Sequence, residues 1–176
     1  KMVRLDLAGM QPPEVRAPAG TLLTTLAQRP QLVQGVWETA LEAFPDIPAG
    51  DEPMDVGTIE AFVARDVDRV GIPKDAFFVA VAEATGDVVG YASLIYDAAS
   101  TTLAYHDMTA VRRAHRGRGI ATALKRAAIA WAVEHGLEAL DHRALHHRGI
   151  VGIGDHRVLR RLRMRVADHA EHAALL

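Results

Sequence analysis

The chain has 176 residues, enough to bury the core of one ordinary domain with an appendage. Its 49% hydrophobic and 24% charged content fits a globular protein, and its net charge of −2 excludes a globally basic nucleic-acid binder. The absence of cysteine excludes disulfides, thiol catalysis and cysteine-ligated zinc, and no apolar run approaches the length of a membrane span.

In chain order, Val3, Leu5 and Leu7 alternate with Arg4 and Asp6, which predicts a short half-buried strand over 2–7. Pro12, Pro13 and Pro18 then mark a linker, so residues 1–18 read as a leader or the end of an upstream domain. Thr21 to Leu26 is the next strand. Pro30 to Phe44 reads as a helix, with Pro30 in its first turn and Leu32, Val33, Val36, Trp37, Ala40, Leu41 and Phe44 at helical spacing. A loop follows from Pro45 to Pro53. Val56 to Val67 predicts a second helix with Thr58 as its cap.

Two apolar runs, Ala76 to Ala82 and Val88 to Tyr96, flank Thr85-Gly86-Asp87 and predict an antiparallel hairpin. Thr101 to Val111 predicts a third strand. Ile120 to His135 is an Ala/Leu-rich helix stopped by Gly136, and Leu137 to Leu140 is a short returning strand. This order predicts an α/β (α+β) fold: one mixed, mostly antiparallel sheet with helices on its faces.

The most informative stretch runs from His106 to Gly136: a strand, a basic loop with two glycines, and a helix. Gly117 and Gly119 allow close backbone approach to a ligand, and helix-start N–H groups favour anions. Arg112, Arg113, Arg116 and Arg118 add positive charge suited to phosphate. By itself this pattern is equally a strand-to-helix turn with a solvated basic rim. It is neither a Walker loop nor a dinucleotide fingerprint.

The context is more specific. The strand, Val111, the R-x-x-G-x-A run from Arg116 to Ala121 and the helix together resemble the acetyl-CoA motif of the GNAT N-acetyltransferase superfamily. The resemblance covers residues 21–140 and implies a domain over 19–141. It implies that backbone groups of Thr109, Ala110 and Val111 pair with the pantetheine arm of acetyl-CoA. It also implies that the amides of Arg116, Gly117, Arg118, Gly119, Ile120, Ala121 and Thr122 hold its pyrophosphate. The implied reaction is direct attack of a neutral primary amine, small-molecule or peptide, on the thioester in a ternary complex.

Such chemistry needs a base, an oxyanion donor and an acid. Asp107 is the candidate base, placed on the same strand face as Thr109 by its two-residue spacing, with a backbone N–H near Thr109 as oxyanion donor. His106 points to the opposite face. Glu42 and Asp46, near the end of the first helix, are alternatives for binding or deprotonating the amine. A catalytically silent acyl-CoA-binding or structural domain is the other reading. No metal is required, and a cytoplasmic location is expected.

From Asp141 the composition changes: seven arginines and six of the nine histidines give a net charge of +3, leaving −5 for the rest. The family's aromatic ending and its customary tyrosine acid are missing, since Tyr91, Tyr96 and Tyr105 all precede the basic loop. Residues 142–176 therefore read as an atypical tail, helical in part, which a frameshift or an acquired extension would explain. His142, His146, His147 and His156, with the His169/His172 pair, read as structural rather than metal-binding. The arginines from Arg157 to Arg165 read as a solvated helix face rather than a nucleic-acid contact.

Overall fold

The computed structural model describes residues 2–46, 55–97 and 99–143. Among the described residues six strands form one sheet: β1 (Met2–Asp6), β2 (Thr21–Thr25), β3 (Phe77–Ala82), β4 (Val88–Tyr96), β5 (Leu103–Val111) and β6 (Ala139–Arg143). Their spatial order is β1-β6-β5-β4-β3-β2, and only the β5–β6 pair is parallel. Three helices pack on the sheet: α1 (Val33–Ala43), α2 (Ile59–Phe62) and α3 (Ile120–Glu134). The expected mixed, mostly antiparallel α/β architecture is thus present.

Each face of the sheet carries its own apolar layer. On one face, Leu124, Ala128, Ile129 and Ala132 of α3 meet Phe78, Ala80, Val89, Ala92 and Leu94. Alanines on this helix let its backbone come close to the strands. On the other face, Val36, Ala40, Ala43 and Phe44 of the first helical region and Phe62 and Val67 of the second cover Val79, Val81, Tyr91, Met108 and Ala110. Gly35 allows α1 to lie tightly on β4, since a Cβ there would stand 2.7 Å from Val88 Cγ2. The fully buried Thr39 donates to the carbonyls of Gly35 (2.8 Å) and Val88 (3.2 Å), which fixes the same contact.

Element limits differ from the sequence reading where local chemistry intervenes. Gly57 sits at φ +72°, so the second helix begins after Thr58, whose side chain accepts from Ala61 N–H at 3.3 Å. That helix then widens over Val63–Val67 into a π-turn closed by Asp68 N–H to Val63 C=O at 2.7 Å. At the far end of α3, Gly136 and Leu137 donate to the carbonyls of Val133 and Ala132, so buried Leu137 completes the helix stop. The last strand consequently starts at Ala139 rather than at Leu137.

The leading strand joins the same sheet. β1 runs antiparallel to β6, with Arg4 opposite Asp141, and its Leu5 together with Leu7 enters the α3-side core. Arg4 binds Asp141 in a bidentate pair (2.7 and 2.8 Å), and the Asp141 carboxylate is almost fully buried. No helix among the described residues is long and apolar enough to cross a membrane. The candidate histidines and arginines beyond residue 143 lie outside the described residues.

Candidate active site

β5 is paired with β4 from Ala104 to Val111, interrupted at Asp107 and Met108, but with β6 only from Leu103 to Tyr105. Beyond Tyr105 the two parallel neighbours part, and the His106–Val111 edge of β5 has no strand partner among the described residues. Arg112 N–H reaches Val89 C=O at 2.9 Å, which sets the phase of the β4–β5 ladder. By alternation, Ala110 also turns its backbone groups toward β4, whereas Thr109 and Val111 turn theirs to the open edge. Of the three residues expected to meet the pantetheine arm, Thr109 and Val111 are therefore the ones oriented for it. The Val111 carbonyl already accepts one bond from Arg116 Nε at 3.0 Å.

The open edge leads directly into the glycine loop. Gly117 (φ +75°) and Gly119 (φ +85°) both hold left-handed backbone, and Gly119 stands immediately before α3. Nothing crowds Gly117, and only Pro18 comes within 4.0 Å of a Cβ built at Gly119. The first amide to find a helical acceptor is Ala123, which bonds Gly119 C=O at 3.0 Å. Arg116 N–H is already bonded to Arg113 C=O at 3.2 Å. The unsatisfied amides among the described residues thus run from Gly117 through Arg118, Gly119, Ile120 and Ala121 to Thr122, a continuous row of donors at the start of α3.

Gly90, which the sequence reading passed over, lies beneath this junction. A Cβ on it would stand 2.9 Å from Ala110 O and 3.2 Å from side-chain carbons of Val111 and Ile120. Because the nearest obstacle is backbone, Gly90→Ala must push β5 and the start of α3 apart. The expected result is a loss of about 1–3 kcal/mol of unfolding free energy, measured by denaturant titration.

Three of the four loop arginines are occupied by carboxylates at α1 and just beyond it. Arg112 reaches Glu38 at 3.2 Å, Arg113 grips Asp46 at 2.7 and 2.9 Å, and Arg116 reaches the same Asp46 at 2.7 Å. Glu42 accepts the Arg113 backbone N–H at 2.6 Å. Arg118 alone of the four has no ion-pair partner among the described residues. The two arginines hold the Asp46 carboxyl at about 2, well below its ordinary 3.8. Glu42 and Asp46 therefore brace the loop, and Asp46, held so acidic, is a poor proton acceptor.

Asp46 also gives a pH signature. Its depressed folded-state value means that its contribution to stability is full above about pH 4 and is lost as the pH falls toward 2. Thermal melts of wild type and Asp46→Asn are expected to differ at pH 5–7 and to converge near pH 2. A constant difference across that window would show that the ion pairs contribute nothing.

Asp107 lies where the β4–β5 register shifts. Ala92 faces Thr109 but Leu94 faces His106, so Asp107 and Met108 together oppose Ser93 in a β-bulge. The two-residue spacing consequently fails as a guide: Thr109 shares the α3-side face with His106, while Asp107 and Met108 turn toward α1 and α2. Together with Ser93 and Tyr91 they line a cavity roofed by Phe44 and Asp66 and floored by Phe77. Arg69, just past the π-turn, binds Asp107 Oδ1 at 2.5 Å, and Ser93 Oγ lies 3.5 Å from Oδ2. Burial pushes the Asp107 carboxyl up, and the Arg69 charge opposes this without cancelling it. Arg69, Ser93 and Tyr91 carry no motif of their own; only the bulge brings them to Asp107.

Comparison with known proteins gives the family. The family model described as the acetyltransferase (GNAT) family matches residues 34–148. This chain belongs to the GNAT acetyltransferase family. A GCN5-related N-acetyltransferase from Sphaerobacter thermophilus superposes with a TM-score of 0.63 at 22% identity, covering 94% of this chain and 47% of that one. A tandem GNAT protein from the clavulanic acid biosynthesis pathway gives 0.55 at 25% identity, covering 84% and 45%. The ribosomal-protein-S18-alanine N-acetyltransferase from Escherichia coli gives 0.52 at 14% identity, covering 81% and 76%. The chain spans about half the length of the first two structures. None of the curated proteins matches the sequence.

Proposed function

We propose that this GNAT domain transfers the acetyl group of acetyl-CoA to a primary amine on a small molecule or peptide, by direct attack in a ternary complex. The observation that carries the reading is the open β5 edge running into six unsatisfied amides from Gly117 to Thr122. Acetyl-CoA supplies the activated acyl group. Thr109 and Val111 would hold its pantetheine arm through backbone hydrogen bonds, and the loop amides its pyrophosphate, with Arg118 as the available cation.

In the reaction, an amine nitrogen bonds the carbonyl carbon, the carbon–sulfur bond breaks, and the amine proton is passed on while the thiolate gains one. Asp107 is the proposed proton acceptor. Its raised carboxyl suits that task better than an ordinary aspartate. Its side chain is only 8% exposed, so the proton would reach it through the cavity at the bulge. The Thr109 N–H, turned to the open edge, would serve as the oxyanion donor.

One observation favours the second reading, a domain that binds acyl-CoA without turning it over. Tyr91 is buried among the core aromatics, Tyr96 packs on Trp131, and Tyr105 is bound to Asp97, so none of them is presented at the open edge. A thiol-release assay with a panel of primary amines decides between the two. Amine-dependent release supports transfer; calorimetric acetyl-CoA binding with no release supports the silent domain; absence of both overturns the assignment. We also propose residues 19–141 as the catalytic unit, completed by β1 along the edge of β6.

A further inference from the structure

Beside the proposed base lies a buried polar group without a partner among the described residues, the Tyr91 hydroxyl. Tyr91 is 2% exposed, and its Oη has no hydrogen-bond partner among the described residues. Its ring is held by stacking on Phe77 at 5.6 Å between centroids, and both residues line the cavity behind the β5 bulge. That cavity has a volume of about 10 Å³. This is the space of a single water molecule, and Asp107, Asp66 and Ser93 are among the residues that line it, beside Phe44, Phe77 and Met108. A buried hydroxyl left without an acceptor is costly, whereas one water touching several polar groups satisfies it.

We propose that the cavity binds one ordered water that accepts a hydrogen bond from Tyr91 Oη–H and donates one to Asp107, making Tyr91 a positioning residue for the reaction's base. The choice of Asp107 over Asp66 follows from their other partners. Asp66 is held by Arg65 Nε and Nη2 at 2.9 and 2.6 Å, whereas Asp107 Oδ2 has only the distant Ser93 hydroxyl. The groups that face Asp107 are Arg69 beyond the π-turn, Asp66 within it (itself paired to Arg65), and Ser93 and Tyr91 on β4. The contacts from the first helical region and from β3 are Phe44 and Phe77, which carry no charge. A water donating to Asp107 favours its charged form; removing the hydroxyl that orients this water, or drying the cavity, favours the neutral form.

The catalytic half of this inference rests on Asp107 being the base; the water site itself does not. The test compares wild type with Tyr91→Phe by ¹³C NMR titration of the Asp107 carboxyl, alongside the pH profile of kcat/KM and a high-resolution crystal structure of the wild type. The expected results are an ordered water in the cavity and a rise of the Asp107 midpoint by about half a pH unit or more in Tyr91→Phe. The acid limb of the rate profile should move upward with it. A dry cavity, an unmoved Asp107 midpoint, or a shift confined to Asp66 overturns the proposal. A more heat-stable Tyr91→Phe with an unmoved midpoint identifies the hydroxyl as a mere packing defect. If the midpoint moves while Asp107→Asn turns over normally, the base assignment fails and the water site stands.

Discussion

Gly119→Glu is expected to lower acetyl-CoA affinity by at least about 100-fold in calorimetry, with the fold retained. Two effects combine. Gly119 holds φ +85°, where a side chain costs about 1–2 kcal/mol, and relief of that strain would rotate the amides at the start of α3 out of line. The new carboxylate would also stand among the amides from Gly117 to Thr122, repelling a diphosphate from the positive end of the helix. Gly119→Ala carries the strain without the charge and should fall between the two. Because the position borders open space, thermal melts should show only a modest loss for either variant. Unchanged affinity in Gly119→Glu would remove the loop from the cofactor site.

Asp107→Asn is expected to slow turnover on the order of 10²–10⁴-fold while sparing acetyl-CoA binding. Asparagine keeps the shape and can still accept from Arg69, so the bulge and cavity should persist. What is lost is the ability to take a proton. The result to look for is a fall in kcat with calorimetric acetyl-CoA affinity unchanged, and with the acid limb of the pH profile abolished. Wild-type rates in this variant would assign Asp107 and Arg69 to a structural ion pair bracing the β5 bulge.

Much of the architecture was legible because its signals are local. The apolar runs around Thr85-Gly86-Asp87 fix the hairpin, and the alanine and leucine spacing after Gly119 fixes α3. The glycine loop was readable for the same reason, since left-handed backbone before a helix leaves a compositional mark. Long-range register was not legible. Nothing in His106-Asp107-Met108-Thr109 announces that one extra residue is accommodated opposite Ser93, yet that residue decides which face the carboxylate takes. The fate of the arginines was hidden similarly. Their positive charge reads as phosphate affinity until α1 places Glu38, Glu42 and Asp46 against three of them. Gly90 gave no sign either, because only the crossing of β4 under Ala110 and Ile120 explains its missing side chain.

The pairing of β1 with β6 has a consequence for how the chain folds. Arg4 and Asp141 meet across 137 residues of sequence, so their contact closes a larger loop than any hairpin or helix in the sheet. Closing it directly from an open chain would cost on the order of 4 kcal/mol in entropy, and much less after the intervening strands have assembled. Non-local contacts of this kind slow folding, and β1 should accordingly dock late, onto a sheet already built from β2 to β6. Until it does, the outer edge of β6 is an exposed template for another chain, and the interval before docking is when this protein is most prone to aggregate.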